Sequence, residues 1–232
     1  MQEREERMPD TALVVMARYP EVGKTKTRLA RTIGDTAVVE LYRAFLADLA
    51  QRFAGQCCAL HWAYTPAEVD YQAFTATLAP AHAQQMWSFP QQGPDLGVRL
   101  HHVFQWTYAQ GFQRTIVIGS DSPQISRETV ASARDALDEA DVVLGPSDDG
   151  GYYLIAMRKP YDVFSDIPMS TDVVTQMTIE AARRQGLMVH LLETLFDVDE
   201  LPDLQRLAHL LAADSTLAPI TAAHMVTMKE LL

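Results

Sequence analysis

Cysteine is almost absent: the 232 residues contain two, Cys57 and Cys58, side by side. They open a run, Cys57–Tyr64, that reads as a strand, where neighbouring side chains point to opposite faces. On that reading the pair neither shares a metal nor closes an ordinary disulfide. His61 nearby lacks the two further ligands that a zinc site needs. A chain without a disulfide framework suits a reducing, cytoplasmic setting. Positive charge is also scarce, with 19 Lys and Arg against 30 Asp and Glu and a formal net charge of −11. That excludes the broad basic surface by which nucleic acids and anionic membranes are bound. No apolar run approaches the length of a membrane span. The opening MQEREERMPD lacks the apolar centre of a signal peptide, and residues 1–10 are expected to be a frayed tail. Repeats, low-complexity tracts and Gly/Ser linkers are missing, so residues 11–232 are expected to form one domain. At this size roughly 70–75% of the unfolded chain's surface is buried, enough for a core that needs no staples.

What is present is an alternation of apolar runs and amphipathic stretches. Ala12–Arg18 (ALVVMAR) and Thr115–Gly119 (TIVIG) are nearly continuous apolar runs, as expected of strands buried on both faces. Gly34 is a natural helix stop and Asp35 a natural start. After it Val38, Leu41, Tyr42, Phe45 and Leu49 recur at helical spacing. A strand over Cys57–Tyr64, a helix within Pro66–Leu78, a strand over Gln85–Phe89 and helices over Leu96–Tyr108 and Ser126–Ala140 continue the rhythm. It then breaks: Asp141–Gly145 and Tyr152–Met157 are separated only by PSDDGG, too short for a crossover helix, so one strand there is antiparallel or an edge. Thr171–Gln185 reads as a helix, Leu187–Leu192 as a last strand, and the remainder as helices. The fold class is α/β, a three-layer, doubly wound, mixed and mainly parallel sheet.

In such sheets ligands bind at the carboxyl ends of the strands, and the chemically suggestive segments all follow strands. The first is ARYPEVGKTKTRLA, Ala17–Ala30, where Lys24, Lys26 and Arg28 stand within five positions between a buried strand and a helix. Cationic side chains and helix N–H groups together suit an anion, and Gly23 permits an unusual turn. Arg18 begins this basic stretch. It also stands where a phosphate-binding P-loop needs glycine, so the GKT inside the segment is not that motif. The plain alternative is a solvated basic loop. The second segment is GSDSP, where Asp121 at a strand's end suits a hard divalent cation, Mg²⁺ or Mn²⁺, or else caps a turn. The third is FDVDELPDL: if extended, Asp197 and Asp199 project to one side and could complete a cation site, or Asp199 caps the following helix. The fourth is GPSDDGGYYLI, in which Asp149, Gly150 and Gly151 form either a loop closely approached by a ligand or a hairpin turn. Weaker signals are Gln92 and Arg99 around QQGPDLGVRL, and Ser170 and Thr171 in MSTDV, where Ser170 offers a helix N-cap beside which an acceptor phosphate could bind.

In this order MARYPEVGKTKTRL, QGPDLGVRL, IGSDSP, GPSDDGGYYLI and DVDELPDL resemble the nucleotide-diphospho-sugar transferase superfamily, with the glycosyltransferase A fold. The likeness is to its small bacterial branch of uncharacterised glycosyltransferase-like proteins, and it runs from Ala12 to Leu204. It implies a nucleotide held between the first-strand loop and the metal-bearing strand. Asp121 would correspond to the metal aspartate, and Asp197 and Asp199 to the late carboxylates of related nucleotidyltransferases, including phospholactate guanylyltransferases. Lys26 and Arg28 match the basic loop, and Gly150 and Gly151 the loop near sugar or acceptor. Two departures stand out. Met169-Ser170-Thr171 replaces a frequent Trp-Ser-Thr, and Asp-Ser-Pro replaces the Asp-x-Asp of many glycosyltransferases.

The expected activity is metal-dependent transfer from a nucleotide-activated substrate to a small acceptor, with no nucleic acid involved. Sugar transfer from a nucleotide-diphospho-sugar comes first, with Asp149 as base, because only Gly23 is available where nucleotidyltransferases of this fold carry a glycine-rich loop. Joining a nucleoside triphosphate to a phosphorylated acceptor is the alternative, and a non-catalytic nucleotide sensor a third reading.

Overall fold

The run after Asp10 forms β1 (Thr11–Arg18), an inner strand of one seven-stranded sheet, in a computed structural model that describes residues 9–228. The strands that follow are β2 (Ala59–Thr65), β3 (Met86–Pro90), β4 (Arg114–Gly119), β5 (Val142–Pro146), β6 (Tyr152–Met157) and β7 (Val189–Leu191). The helices are α1 (Thr27–Ile33), α2 (Asp35–Phe53), α3 (Tyr71–Leu78), α4 (Leu96–Ala109), α5 (Arg127–Ala136), α6 (Val174–Arg184), α7 (Leu201–Ala213) and α8 (Pro219–Thr227). Spatial order is β3-β2-β1-β4-β6-β5-β7, and every pairing is parallel except those of β6, which runs antiparallel between β4 and β5. The five residues between β5 and β6, 147–151, are therefore a hairpin link, as their number requires.

Alternation along the central strands divides the core. Leu13, Val15 and Ala17 of β1, with Ile116 and Ile118 of β4, pack under α1, α2, α5, α7 and α8. Ala12 and Val14, with Val117, pack under α4 and α6. Gly34 ends α1 with φ 89°, a backbone that glycine adopts without strain, and Asp35 opens α2. Asp70, Asp95 and Ser126 cap α3, α4 and α5 by accepting from the N–H three residues on.

Several boundaries differ from the sequence reading. The helix expected from Thr171 starts at Val174, since Ser170 has φ 67° and Thr171 Oγ1 donates to Pro168 O in a separate turn. Ser170 is thus not the N-cap of α6; Val173 is. The expected tail, residues 1–10, lies outside the described residues except for Pro9 and Asp10. Asp10 is fixed: its carbonyl accepts from Gln113 and Arg114 N–H, and its carboxylate pairs with Arg114 at 3.1 Å. The cysteine reading also changes. β2 begins only at Ala59, so Cys57 and Cys58 occupy a bend rather than a strand, and their Sγ atoms lie 3.9 Å apart instead of on opposite faces.

Candidate active site

From β1 the chain winds outward through β2 to β3, then returns to β4 and winds the other way. The carboxyl ends of β1 and β4 therefore flank a crevice. A cleft of about 380 Å³ opens there, lined by Arg18, Lys26, Gln91, Arg99, Asp121 and Asp199 among others. A larger hollow, about 720 Å³ between Tyr108 and Tyr161, includes Arg158 and Asp141 at the opposite end of the sheet and gathers none of these groups.

The loop after β1 closes on itself through Thr25, whose hydroxyl accepts from Glu21 N–H at 2.9 Å and donates to Glu21 O at 3.0 Å. Gly23 turns at φ 78°, and Lys24 pairs with Glu21 at the exposed surface. Lys26 then takes the left-handed conformation, φ 39° and ψ 55°, immediately before α1. For a residue with a Cβ that conformation costs about 1–2 kcal/mol, and it is held where surrounding contacts over-determine it. Here the Lys26 side chain is only 6% exposed. Its Nζ lies 2.6 Å from Asp121 Oδ1 and 2.6 Å from Val198 O, with Asp199 Oδ1 as a longer ion-pair partner at 3.6 Å. The Tyr42 and Phe45 rings lie beneath it at 5.9 Å.

The floor is equally tied. Tyr42 hydroxyl accepts from Arg18 N–H at 3.2 Å and lies 2.8 Å from Ser120 Oγ. Burial, reinforced by the charge of Asp121, raises the Tyr42 phenol well above its ordinary value, so it stays neutral. The late segment is strapped to the end of β4. Val198 N–H donates to Asp121 O at 3.0 Å, Ser122 Oγ donates to Phe196 O and to the Asp197 carboxylate, and Gln124 Nε2 donates to Phe196 O at 2.7 Å. Asp199 turns to the basic loop, pairing with Arg28 as well as Lys26. It does not cap α7, where Glu200 and Asp203 form a capping box.

Asp197 stands apart in the group. Burial lifts its carboxyl to about 6, and the negative charges of Asp121 and Asp149 add to the rise. Asp149 belongs to the loop between β5 and β6, where its Oδ1 accepts from Ser147 Oγ at 2.7 Å and Gly151 N–H at 2.9 Å. Gly150, at φ 87°, lets this loop touch the segment before α6: a Cβ there would sit 2.0 Å from Asp172 O. Gly150 O in turn accepts from Thr175 N–H at 3.0 Å. The loop is fastened on its other side by an ion pair of Asp148 with Arg206, whose guanidinium lies 4.0 Å over the Phe196 ring.

The structure thus gathers Arg18, Lys26, Arg28, Arg99, Asp121, Asp197 and Asp199 at one edge, with Asp149 close enough for its charge to act on Asp197. Lys24 and Gly23 shape the outer loop and do not line the cleft. Gln92 is exposed and outside it. Its neighbour Gln91 is the lining residue, with Nε2 donating to Ala17 O at 3.2 Å and Ala63 O at 2.8 Å. Ser170 and Thr171 are exposed on the segment that abuts the Gly150 loop. Tyr42 and Ser120 were not legible as site residues, because Tyr42 reads as one more apolar position of α2.

A divalent cation would be held by Asp121 and Asp197. The fit rests on chemistry: a half-buried carboxylate near two others, with one ammonium as the local counter-charge, suits a hard ion. Asp199 is committed to Lys26 and Arg28. Among the described residues no cluster of three Asp, Glu, His or Cys has the spacing of a preformed metal cage.

Comparison with known proteins agrees with the fold. Residues 48–171, just over half of the chain, match the bacterial family described as "Uncharacterized protein conserved in bacteria (DUF2064)". A crystal structure from Desulfovibrio desulfuricans G20, provisionally described as a nucleotide-diphospho-sugar transferase, shares 37% identity over 97% of both chains with a TM-score of 0.87. A phosphoenolpyruvate guanylyltransferase of Chloroflexus aggregans is 31% identical over 141 residues, 60% of this chain and 68% of that protein. A cytidylyltransferase from Leptospira borgpetersenii shares the fold, with a TM-score of 0.56 over 96% of this chain and 94% of its own, at 13% identity. The chain belongs to this bacterial DUF2064 family, within the nucleotide-diphospho-sugar transferase superfamily.

Proposed function

We propose that this protein is a metal-assisted nucleotidyltransferase that joins the nucleoside monophosphate part of a nucleoside triphosphate to a small phosphorylated acceptor. This reverses the preference drawn from the glycine-poor first loop. The observation that carries it is the buried Lys26 ammonium, fixed beside Asp121 at the β1–β4 crevice. A rigid cation there suits the charge that builds on an α-phosphate as an acceptor oxygen attacks phosphorus and pyrophosphate departs. Arg18 and Arg99 line the same cleft and suit the remaining phosphates. Asp121 and Asp197 are the residues that would hold Mg²⁺ or Mn²⁺, which when bound supplies further neutralisation of the phosphates. The guanylyltransferase relative supports a guanine nucleotide as first candidate.

Sugar transfer from a nucleotide-diphospho-sugar is the second reading, supported by the description of the D. desulfuricans relative. Asp149 would then serve as the base toward an acceptor hydroxyl.

The deciding experiment incubates the protein with each nucleoside triphosphate, Mg²⁺ or Mn²⁺ and a panel of phosphorylated acids, and follows pyrophosphate. Parallel reactions with nucleotide sugars follow nucleoside diphosphate. Acceptor-dependent pyrophosphate release supports nucleotidyl transfer, whereas release of diphosphate from a nucleotide sugar alone sinks it. Binding without turnover in either arm marks a nucleotide sensor.

A further inference from the structure

The only two cysteines of the chain lie away from the cleft, in the bend between α2 and the amino end of β2. Their environments differ sharply: Cys57 is exposed and Cys58 is buried. Their sulfurs lie 3.9 Å apart, and Arg134 Nη1, from the last turn of α5, lies 3.4 Å from Cys57 Sγ. That guanidinium, also paired with Asp135 at 2.7 Å, places a positive charge in contact with the accessible sulfur. Burial and the neighbouring Cys57 lift the Cys58 thiol to about 12, so Cys58 holds its proton. That division of roles is the one required for thiol–disulfide exchange, with an outer attacking sulfur and an inner resolving one.

We propose that Cys57 and Cys58 form a redox-active vicinal dithiol, in which Cys57 attacks low-molecular-weight disulfides of the glutathione class and Cys58 resolves the product. In the first step the Cys57 thiolate bonds to one sulfur of the oxidant, whose S–S bond breaks and releases one thiolate. In the second, Cys58 loses its proton to solvent and attacks Cys57 Sγ, expelling the second thiolate. The balance is one protein dithiol and one small disulfide giving one intramolecular disulfide and two small thiols. Closure shortens the sulfur separation from 3.9 Å to a bond of about 2.05 Å. The ring of two adjacent cysteines is strained, so a dithiol reductant reopens it readily.

The test uses the folded, full-length protein treated with oxidised glutathione, acid-quenched over time and read by intact and peptide mass spectrometry. The expected end product has lost two hydrogens, retains no adduct, carries the link within the Cys57–Cys58 peptide, and is restored by dithiothreitol. Cys58→Ser is expected to stop at a stable glutathione adduct on Cys57, and Cys57→Ser to remain unmodified. Arg134→Gln is expected to slow Cys57 modification severalfold, while denatured protein shows no such difference. A stable adduct on wild-type Cys57 with Cys58 still free, or equal rates for wild type and Arg134→Gln, overturns the assignment. Wild-type closure decides the matter even if the Cys58 variant fails to fold.

Discussion

Lys26 Nζ lies 2.6 Å from Asp121 Oδ1, joining the loop after β1 to the end of β4 across the mouth of the sheet. The two residues are far apart in sequence, and their meeting converts a basic loop and a strand-end aspartate into one site. Because the ammonium is buried and also bound to Val198 O, its loss leaves two oxygens without their donor and removes the positive charge 3.6 Å from Asp199. Lys26→Met is therefore expected to reduce turnover by about 10²–10³-fold, the usual cost of removing a preorganised charge at a phosphoryl centre. Lys26→Arg is expected to fail as a rescue, since a planar fork does not reproduce a compact ammonium held between Asp121 and Val198 O. Steady-state rates of pyrophosphate release measure both, and near-wild-type turnover in Lys26→Met would refute the role.

Asp197 makes a prediction about stability and pH. Its folded-state value, about 6, lies above the ordinary 3.8, so the folded protein holds this proton more tightly than the unfolded chain. Stability is accordingly lost as pH rises from the unfolded value through about 6, and the loss is complete above it. The shift corresponds to at most about 3 kcal/mol, offset in a substitution by weakening of the Ser122 hydrogen bond. Asp197→Asn should raise the melting temperature by a few degrees at pH 8 in EDTA, show little gain at pH 4, and lose metal-dependent activity. An unchanged melting temperature at both values contradicts the assignment.

Gly150 offers a steric test. Alanine there would place Cβ 2.0 Å from Asp172 O at φ 87°, so either the loop or the segment before α6 must move. The expected cost is about 1–3 kcal/mol, read by thermal or denaturant unfolding. The Michaelis constant for the acceptor should rise more than that for the nucleotide, because Asp149 shifts with the loop. Gly23→Ala, with nothing within 4 Å of its Cβ, should cost only the local φ strain.

Gln91 and Gln92 are neighbours with different fates. Gln91→Ala removes two hydrogen bonds to the carbonyls of Ala17 and Ala63, at about 1 kcal/mol each, and should weaken nucleotide binding. Gln92→Ala should leave stability within about 0.5 kcal/mol of wild type, as exposed substitutions do. Nucleotide-dependent shifts in melting temperature compare the two, and equal effects would contradict this division.

Much of the site was legible because its residues follow strand ends, and a buried strand announces itself by composition. Ala12–Arg18 and Thr115–Gly119 are apolar on both faces, so their ends and the polar residues beyond them could be located. Gln91 could not be told from Gln92, since one residue of register decides which side chain turns back over β1. The cysteine pair was misread for a related reason: the strand starts two residues later than the run suggests, and alternation does not apply in a bend.

By itself the sequence determined the alternation of strands and helices, the loop between β1 and α1, and the chemical character of the carboxylates that follow β4 and precede α7. These are local properties, set by apolar periodicity, capping residues and charge. Only the tertiary structure decided that β6 inserts between β4 and β5, that Asp199 serves Lys26 and Arg28 rather than capping α7, and that burial raises the Asp197 carboxyl. Sheet order and burial depend on contacts between segments remote in sequence, so no local pattern encodes them.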